Sequence, residues 1–391
     1  MTHRCLLAGF GVLLAIGTLL AGPAWADGPI PLPTDLPCDK RPPPPTPTTV
    51  PPPPPGEFGP TWAPTESVIA FTRNVNGGAT TVEVVNSKNL RRWSLGPGGN
   101  PSWSPDGHSL TFIRALPAPK PPKPPTCIAT VVDVFVASRD GRSQIDLTNS
   151  EDSSASSPTW SPDGSEIAYV DNHAGKSTIA VVSMKDRQER SLSTLSVGWF
   201  QKLAWSPDSQ QIAFSGSNTE MPGTRIWVVN ADGSGLRLMT HASRYQDYDP
   251  TWSPDGRMIA FTRSVPLEDA GHSRIWVMNA DGSGKHQVSR HLSAGSASDS
   301  SPEWVAGGRA LEFQRSFGVY GSGSYMVNLD GSDQRAVTTV IGRRAVPYLA
   351  DAVRSPDGRQ LAVTRRRSPT NPTWRIWIFS LPNLRATLVP W

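Results

Sequence analysis

Five consecutive residues, Tyr245-Gln246-Asp247-Tyr248-Asp249, place two phenols and two carboxylates within one short stretch. Such side chains can stack on a ligand, donate a hydrogen bond and hold a positive charge, which is chemistry for recognition. Asp152 and Asp299 stand in comparable settings elsewhere in the chain. Tyr245, Asp247, Tyr248, Asp249 and Asp299 are therefore the expected binding residues. A plainer role is open to Asp249, which could simply bond the backbone amides beside it. Chemistry for catalysis is harder to assemble. His108, His173, His241, His272, His286 and His291 fall at unrelated places, with no H-x-H or H-x-x-x-H pair to present two imidazoles to one metal. No G-x-S-x-G nucleophile elbow occurs. The expectation is a binding protein without catalytic residues, metal or cofactor.

The elements that position these residues come from a repeat. Between residues 60 and 358 the chain writes seven versions of one phrase, P-x-W-S-P-D-G-x-x-I-A-F. Its Trp column falls at Trp62, Trp103, Trp160, Trp205, Trp252 and Trp304, with Arg354 in the seventh copy. Self-similarity at a period of roughly 40–50 residues marks a radial or linear repeat architecture. In the fifth copy, Thr251 to Ser253 reads as a short strand and Pro254-Asp255-Gly256 as a tight reversal. Proline presets the first turn position, and glycine tolerates a left-handed one. Met258 to Thr262 and Ile275 to Met278 follow as strands rich in β-formers, then an Asn279-Ala280-Asp281-Gly282-Ser283-Gly284 turn and a polar strand over His286 to Ser289. The Asp-Gly turns lack the alternating carboxylates and distal Glu of a calcium loop.

Four antiparallel strands per period predict an all-β chain: a β-propeller of seven four-stranded blades. Six blades is the alternative, if the copy at Trp304 or Arg354 serves only to close the ring. The Trp column then packs between blades. The S-P-D-G and A-D-G turns share one face of the disc. The longer connections, at residues 115–126, 149–157, 241–249, 264–273, 291–301 and 367–373, share the other, where the Tyr245–Asp249 stretch would meet a partner.

The ends read differently. His3 and Arg4, an apolar run from Leu6 to Leu20, and Ala24-Trp25-Ala26 form an export signal over residues 1–26, so the mature chain is expected to begin at Asp27. Residues 27–56 are a Pro-rich linker, stiff and extended, which could also dock to an aromatic groove. Residues 57–391 are the propeller. Signal removal takes Cys5 and leaves Cys38 and Cys127, which in an oxidising compartment are expected to pair, the alternatives being free thiols or an intermolecular link. Net charge is +4, from 37 Lys and Arg against 33 Asp and Glu, without a basic stripe, so nucleic acid is not an expected partner. No later segment is apolar and long enough for a membrane span.

The phrase P-x-W-S-P-D-G-x-x-I-A-F followed by I-W-V-M-N-A-D-G-S-G resembles the TolB-type propeller repeat, a relative of WD-repeat propellers, across residues 57 to 391. Propellers of this kind include periplasmic partner-binding proteins, domains that gate serine peptidases, and some polysaccharide lyases. TolB itself carries an α/β domain where this chain has its proline linker. The resemblance implies an exported, monomeric scaffold that binds a protein, a ligand or a cell-envelope polymer. The alternative it leaves is a carbohydrate-active lyase or hydrolase with a site assembled across blades.

Overall fold

The computed structural model describes residues 56–74, 79–117, 130–151, 153–173, 176–192, 202–217, 223–241, 244–264, 272–290, 297–317, 322–337, 349–366, 373–381 and 385–388. Within them lie 28 strands and one short 3-10 turn, Ala306–Gly308. The chain is all-β. Antiparallel pairing takes the strands by fours in chain order, from an inner strand ending near the Trp column to a short outer one. The first unit is Gly56–Trp62, Val68–Asn74, Thr80–Asn86 and Arg92–Pro97. The second to sixth span residues 99–146, 153–191, 203–238, 246–287 and 298–336. The seventh is Leu349–Arg354, Gln360–Arg366, Trp374–Ser380 and Arg385–Leu388. The units stand side by side as a β-propeller, and the first adjoins the last, Gly56 bridging to Trp374.

Each S-P-D-G turn is held by its own side chains. In the fifth unit the Ser253 hydroxyl donates to Asp255 Oδ1 at 2.6 Å and accepts the Met258 N–H at 2.9 Å. Asp255 also accepts the Arg257 N–H, and Gly256 takes the left-handed φ of 70° that closes the reversal. Serine thus does as much for the turn as the Pro-Asp-Gly triplet does. Its hydroxyl satisfies backbone groups that the hairpin leaves open.

Between neighbouring units the packing is apolar. Ile259 and Phe261 of the fifth unit cluster with Ala213, Ile226 and Val228 of the fourth. Burial of each isoleucine, valine or phenylalanine among them contributes about 1.5–3 kcal/mol. The Trp column adds a directional bond. Its indole N–H donates to the carbonyl just before the preceding unit's Trp: Trp103 to Thr61, Trp205 to Thr159, Trp252 to Ala204 and Trp304 to Thr251. Trp62 closes the circle by donating to Val353 at 2.9 Å. Trp160 is the exception: its N–H has no acceptor among the described residues.

The inner strands run longer than the sequence predicts. The fifth spans Gln246–Trp252, the third Ser153–Trp160 and the sixth Ser298–Val305, so segments expected as connections continue the sheet. A bulge permits this. Three residues before the Trp column, Gly59, Asn100, Ser157, Asp249 and Ser301 adopt φ between 53° and 56°, and the register slips by one at that point. One extra residue in a left-handed conformation lets the strand bend and stay paired. The outer strands are shorter than expected, His286–Gln287 in the fifth unit.

Candidate functional site

The bulge decides which side chains face the propeller axis. Along most inner strands burial alternates over the last four residues, Pro101 of the second being half-buried. The Trp position and the residue two before it pack between units, while those one and three before it stay partly open. The open set is Thr61, Ser102, Thr159, Ala204, Thr251, Glu303 and Val353 in one tier. In the tier above are Gly59, Asn100, Ser157, Lys202, Asp249 and Ser301. Hydroxyls and small side chains prevail, and three charges stand among them: Lys202, Asp249 and Glu303.

Glu303 is the distinctive member. Its equivalents in the other units are threonine, serine, alanine or valine. The side chain is open to solvent yet walled by protein, as a group in a narrow axial channel is. Desolvation by those walls pushes its carboxyl above the ordinary range. Lys202 of the fourth unit opposes that shift, Glu312 adds to it and Arg354 opposes it. Lys202, two units away, is therefore near enough for its charge to act on Glu303.

The residues singled out from the sequence divide into two kinds. Asp247 and Asp299 do not reach solvent at all: both are fully buried. Asp247 lies across the strand pair from Arg263 and accepts both arms of its guanidinium, at 2.7 and 2.9 Å. Asp299 does the same with Arg315, at 2.6 and 2.8 Å, and also accepts the Ser289 hydroxyl. The two pairs occupy equivalent positions five residues before the Trp column, and in the first unit Glu57 stands there, accepting Arg92 and Arg375. Arg263 also lies over the rings of Tyr245, Phe261 and Trp276, and Arg315 over Phe313 and Tyr325. These carboxylates are ion-pair partners inside the fold, out of a ligand's reach.

Tyr245, Tyr248 and Asp249 are half-buried. Tyr245 caps the Arg263 guanidinium at 5.2 Å. Burial pushes the Tyr248 hydroxyl above its ordinary range, partly offset by its bond with Ser264. Asp249 is the bulge residue, with φ of 54°, and its Oδ2 lies 3.5 Å from the Thr262 hydroxyl. Asp249 therefore joins the axial row, whereas Tyr245 and Tyr248 flank it.

His108, His173, His241 and His286 are exposed in separate units and His272 is half-buried; His291 lies outside the described residues. Among the described residues no three His, Cys, Asp or Glu side chains gather as a metal site would require. Cys38, Cys127, Asp152 and residues 27–55 of the Pro-rich linker also lie outside the described residues, while Gly56, expected to end the linker, begins the first strand. Lys202, Glu303 and Glu312 were missed by motif reading. Alignment of the repeats on one another could have found them, since each departs from the residue its sister units carry.

Comparison with known proteins agrees with this architecture. Residues 129–289 match the TolB beta propeller domain. The Tol-Pal system protein TolB of Anaeromyxobacter dehalogenans (strain 2CP-C) is 37% identical over 107 residues, 26% of this chain and 23% of that protein. The chain thus spans about a quarter of the length of the curated TolB relatives it matches. The β-propeller domain of the Trilobed protease from Pyrococcus furiosus, described as having an open velcro topology, superposes with a TM-score of 0.61 at 13% identity, over 86% of this chain and 95% of that one. An oligogalacturonate lyase in complex with manganese gives 0.59 at 15% identity, over 85% of each. At such identities these two report the fold alone. The molecule is a β-propeller built from stapled four-strand units about an axial channel. Its repeats are similar to the TolB-type β-propeller repeat, over residues 129–289.

Proposed function

We propose that this protein is a non-enzymatic binding scaffold, exported to the cell envelope or extracellular space, that takes a segment of a protein or envelope polymer at the axial row. The observation that carries the reading is how the polar groups are used. The repeated carboxylates are spent on the fold, in Ser–Asp turns and buried Asp–Arg pairs. Lys202, Asp249 and Glu303 vary from unit to unit, stay open, and place both signs of charge in one channel. Opposed charges amid hydroxyls suit a polar, zwitterionic segment such as a peptide, more than an apolar ligand. The envelope setting is supported by the TolB likeness and by the signal-like N-terminus; no helix among the described residues is long and apolar enough to cross a membrane.

The test is capture from the organism's own envelope fraction by the purified mature protein. Lys202→Ala with Glu303→Gln should abolish capture of the bound species and leave the thermal midpoint within about 2 °C, as surface changes do. Replacement of exposed turn residues such as Arg257 on the opposite face should leave capture intact. Unchanged capture by the axial variant would refute the site, and steady turnover of a uronate polymer by the wild-type chain would refute the non-enzymatic reading.

A further inference from the structure

Six of the seven junctions between neighbouring units are filled by a shared apolar cluster. The first and second units share Ala70, Val82, Leu110 and Phe112, and the pattern repeats around the ring to the seventh and first, which share Ala362, Ile376, Ile69 and Phe71. The junction between the sixth and seventh differs. The seventh unit offers the usual apolar face of Leu361, Val363 and Phe379, but among the described residues that cluster contains none of the sixth.

The reason is written at three aligned positions. Where the other units carry Ala70, Thr111, Ala168, Ala213, Ala260 and Ala362, the sixth has Glu312. Where they carry Val82, Val134, Ile179, Ile226, Ile275 and Ile376, it has Ser324. Facing these, the Trp column of the seventh unit holds Arg354. The three exceptions meet: Arg354 Nε donates to Glu312 Oε2 at 2.8 Å, and the Ser324 hydroxyl donates to Glu312 Oε1. Glu312 is buried, and Gln314 beside it keeps a buried oxygen without a hydrogen-bond partner among the described residues. Among the described residues a further charged group, Glu303, lies directly across the strand pair from Glu312. Arg354 is thus paired with Glu312, and Glu303 feels the charges of Glu312, Arg354 and Lys202.

We infer that the junction between the sixth and seventh units is a seam at which the ring opens while the rest of the propeller stays folded. A buried ion pair is held far less firmly than the apolar contacts it replaces, because separation returns both charges to water. An indole staple is also missing here, Arg354 standing where Trp would donate. Opening exposes the seventh unit's inward face and widens the channel beside Glu303, giving a chain segment lateral entry to the axial row. That consequence rests on the proposed binding role, but the seam itself does not.

One strand provides an internal control. Val363 and Ala362 are adjacent and both fully buried, Val363 facing the sixth unit and Ala362 the first. With Val363→Cys and Ala362→Cys in the full mature chain, a thiol reagent under native conditions should modify position 363 at least about tenfold faster than position 362, read by mass spectrometry of the peptide, since sub-global opening precedes global unfolding. Restoring the apolar consensus by Glu312→Ala, Ser324→Ile and Arg354→Trp together should slow labelling at 363 by about tenfold or more and leave 362 unchanged. Equal rates at the two positions, both tracking global unfolding, would overturn the inference whether or not the triple variant folds. Unchanged capture by the Lys202→Ala, Glu303→Gln variant, with the labelling difference intact, would refute the binding site and spare the seam.

Discussion

Asp299 separates an internal ion pair from a ligand-binding carboxylate, because the two roles predict opposite outcomes for one substitution. Asp299→Ala removes both acceptors of the Arg315 guanidinium and the acceptor of the Ser289 hydroxyl, in a site where Asp299 is fully buried and the Arg315 side chain only 3% exposed. Arg315 keeps its bond to the Arg290 carbonyl and its place over Tyr325, but its charge stays buried without a counter-charge. Breaking a buried pair on one side costs about 3–5 kcal/mol. For a chain of this size that lowers the thermal midpoint by on the order of 10 °C. The double variant Asp299→Leu with Arg315→Met removes the stranded charge and should recover more than half of the loss, as apolar replacement of buried pairs does. The assay is thermal denaturation of the mature protein followed by tryptophan fluorescence, with envelope capture measured at 20 °C below the lowest midpoint. An Asp299→Ala protein with an unchanged midpoint and lost capture would refute the argument and return Asp299 to the binding surface.

Four further outcomes are expected. Trp252→Phe should cost about 1–2 kcal/mol by leaving the Ala204 carbonyl without its indole donor, whereas Trp160→Phe, with no such bond to lose, should cost measurably less in the same denaturation series. Acid should destabilise the fold through its turns. Serine hydroxyl bonds are the first cause holding the carboxyls of Asp106, Asp208, Asp255, Asp357, Asp232, Asp281 and Asp330 below the ordinary 3.8. A depressed folded-state value adds stability that is complete above the unfolded value and lost as pH falls through the folded one, so the midpoint should be flat above about pH 5 and decline below about pH 4. A midpoint that holds to pH 2.5 would contradict this. Thiol titration of freshly exported protein should find none free if Cys38 and Cys127 pair, and reduction should lower the midpoint, the closed loop being worth at most roughly 4–5 kcal/mol. An experimental density map should show seven blades, with Arg354 starting the last; six would require one unit to leave the ring.

How much of this was legible beforehand depends on whether a feature is local. The Trp column, the S-P-D-G reversal and the β-rich strands repeat in the sequence because each unit must build them from its own residues. Hence the all-β propeller was readable directly. The inner strand over Gln246–Trp252 was not, since its upper half pairs only because Asp249 takes a left-handed bulge. Without that bulge, Tyr245 to Asp249 reads as a connection ready for a partner. The fates of Asp247 and Asp299 were likewise hidden. A carboxylate sixteen residues before an arginine carries no meaning until antiparallel register sets the two side by side. Arg354 was visible as a break in the Trp column, yet its partner Glu312 lies in the preceding unit. Sequence alone fixes what each repeat can bury and where it turns. Only the tertiary structure decides which polar groups find partners and which stay open at the axis, because strand register within a unit, as for Asp247 and Arg263, and packing of one unit on the next, as for Glu312 and Arg354, join residues far apart in sequence.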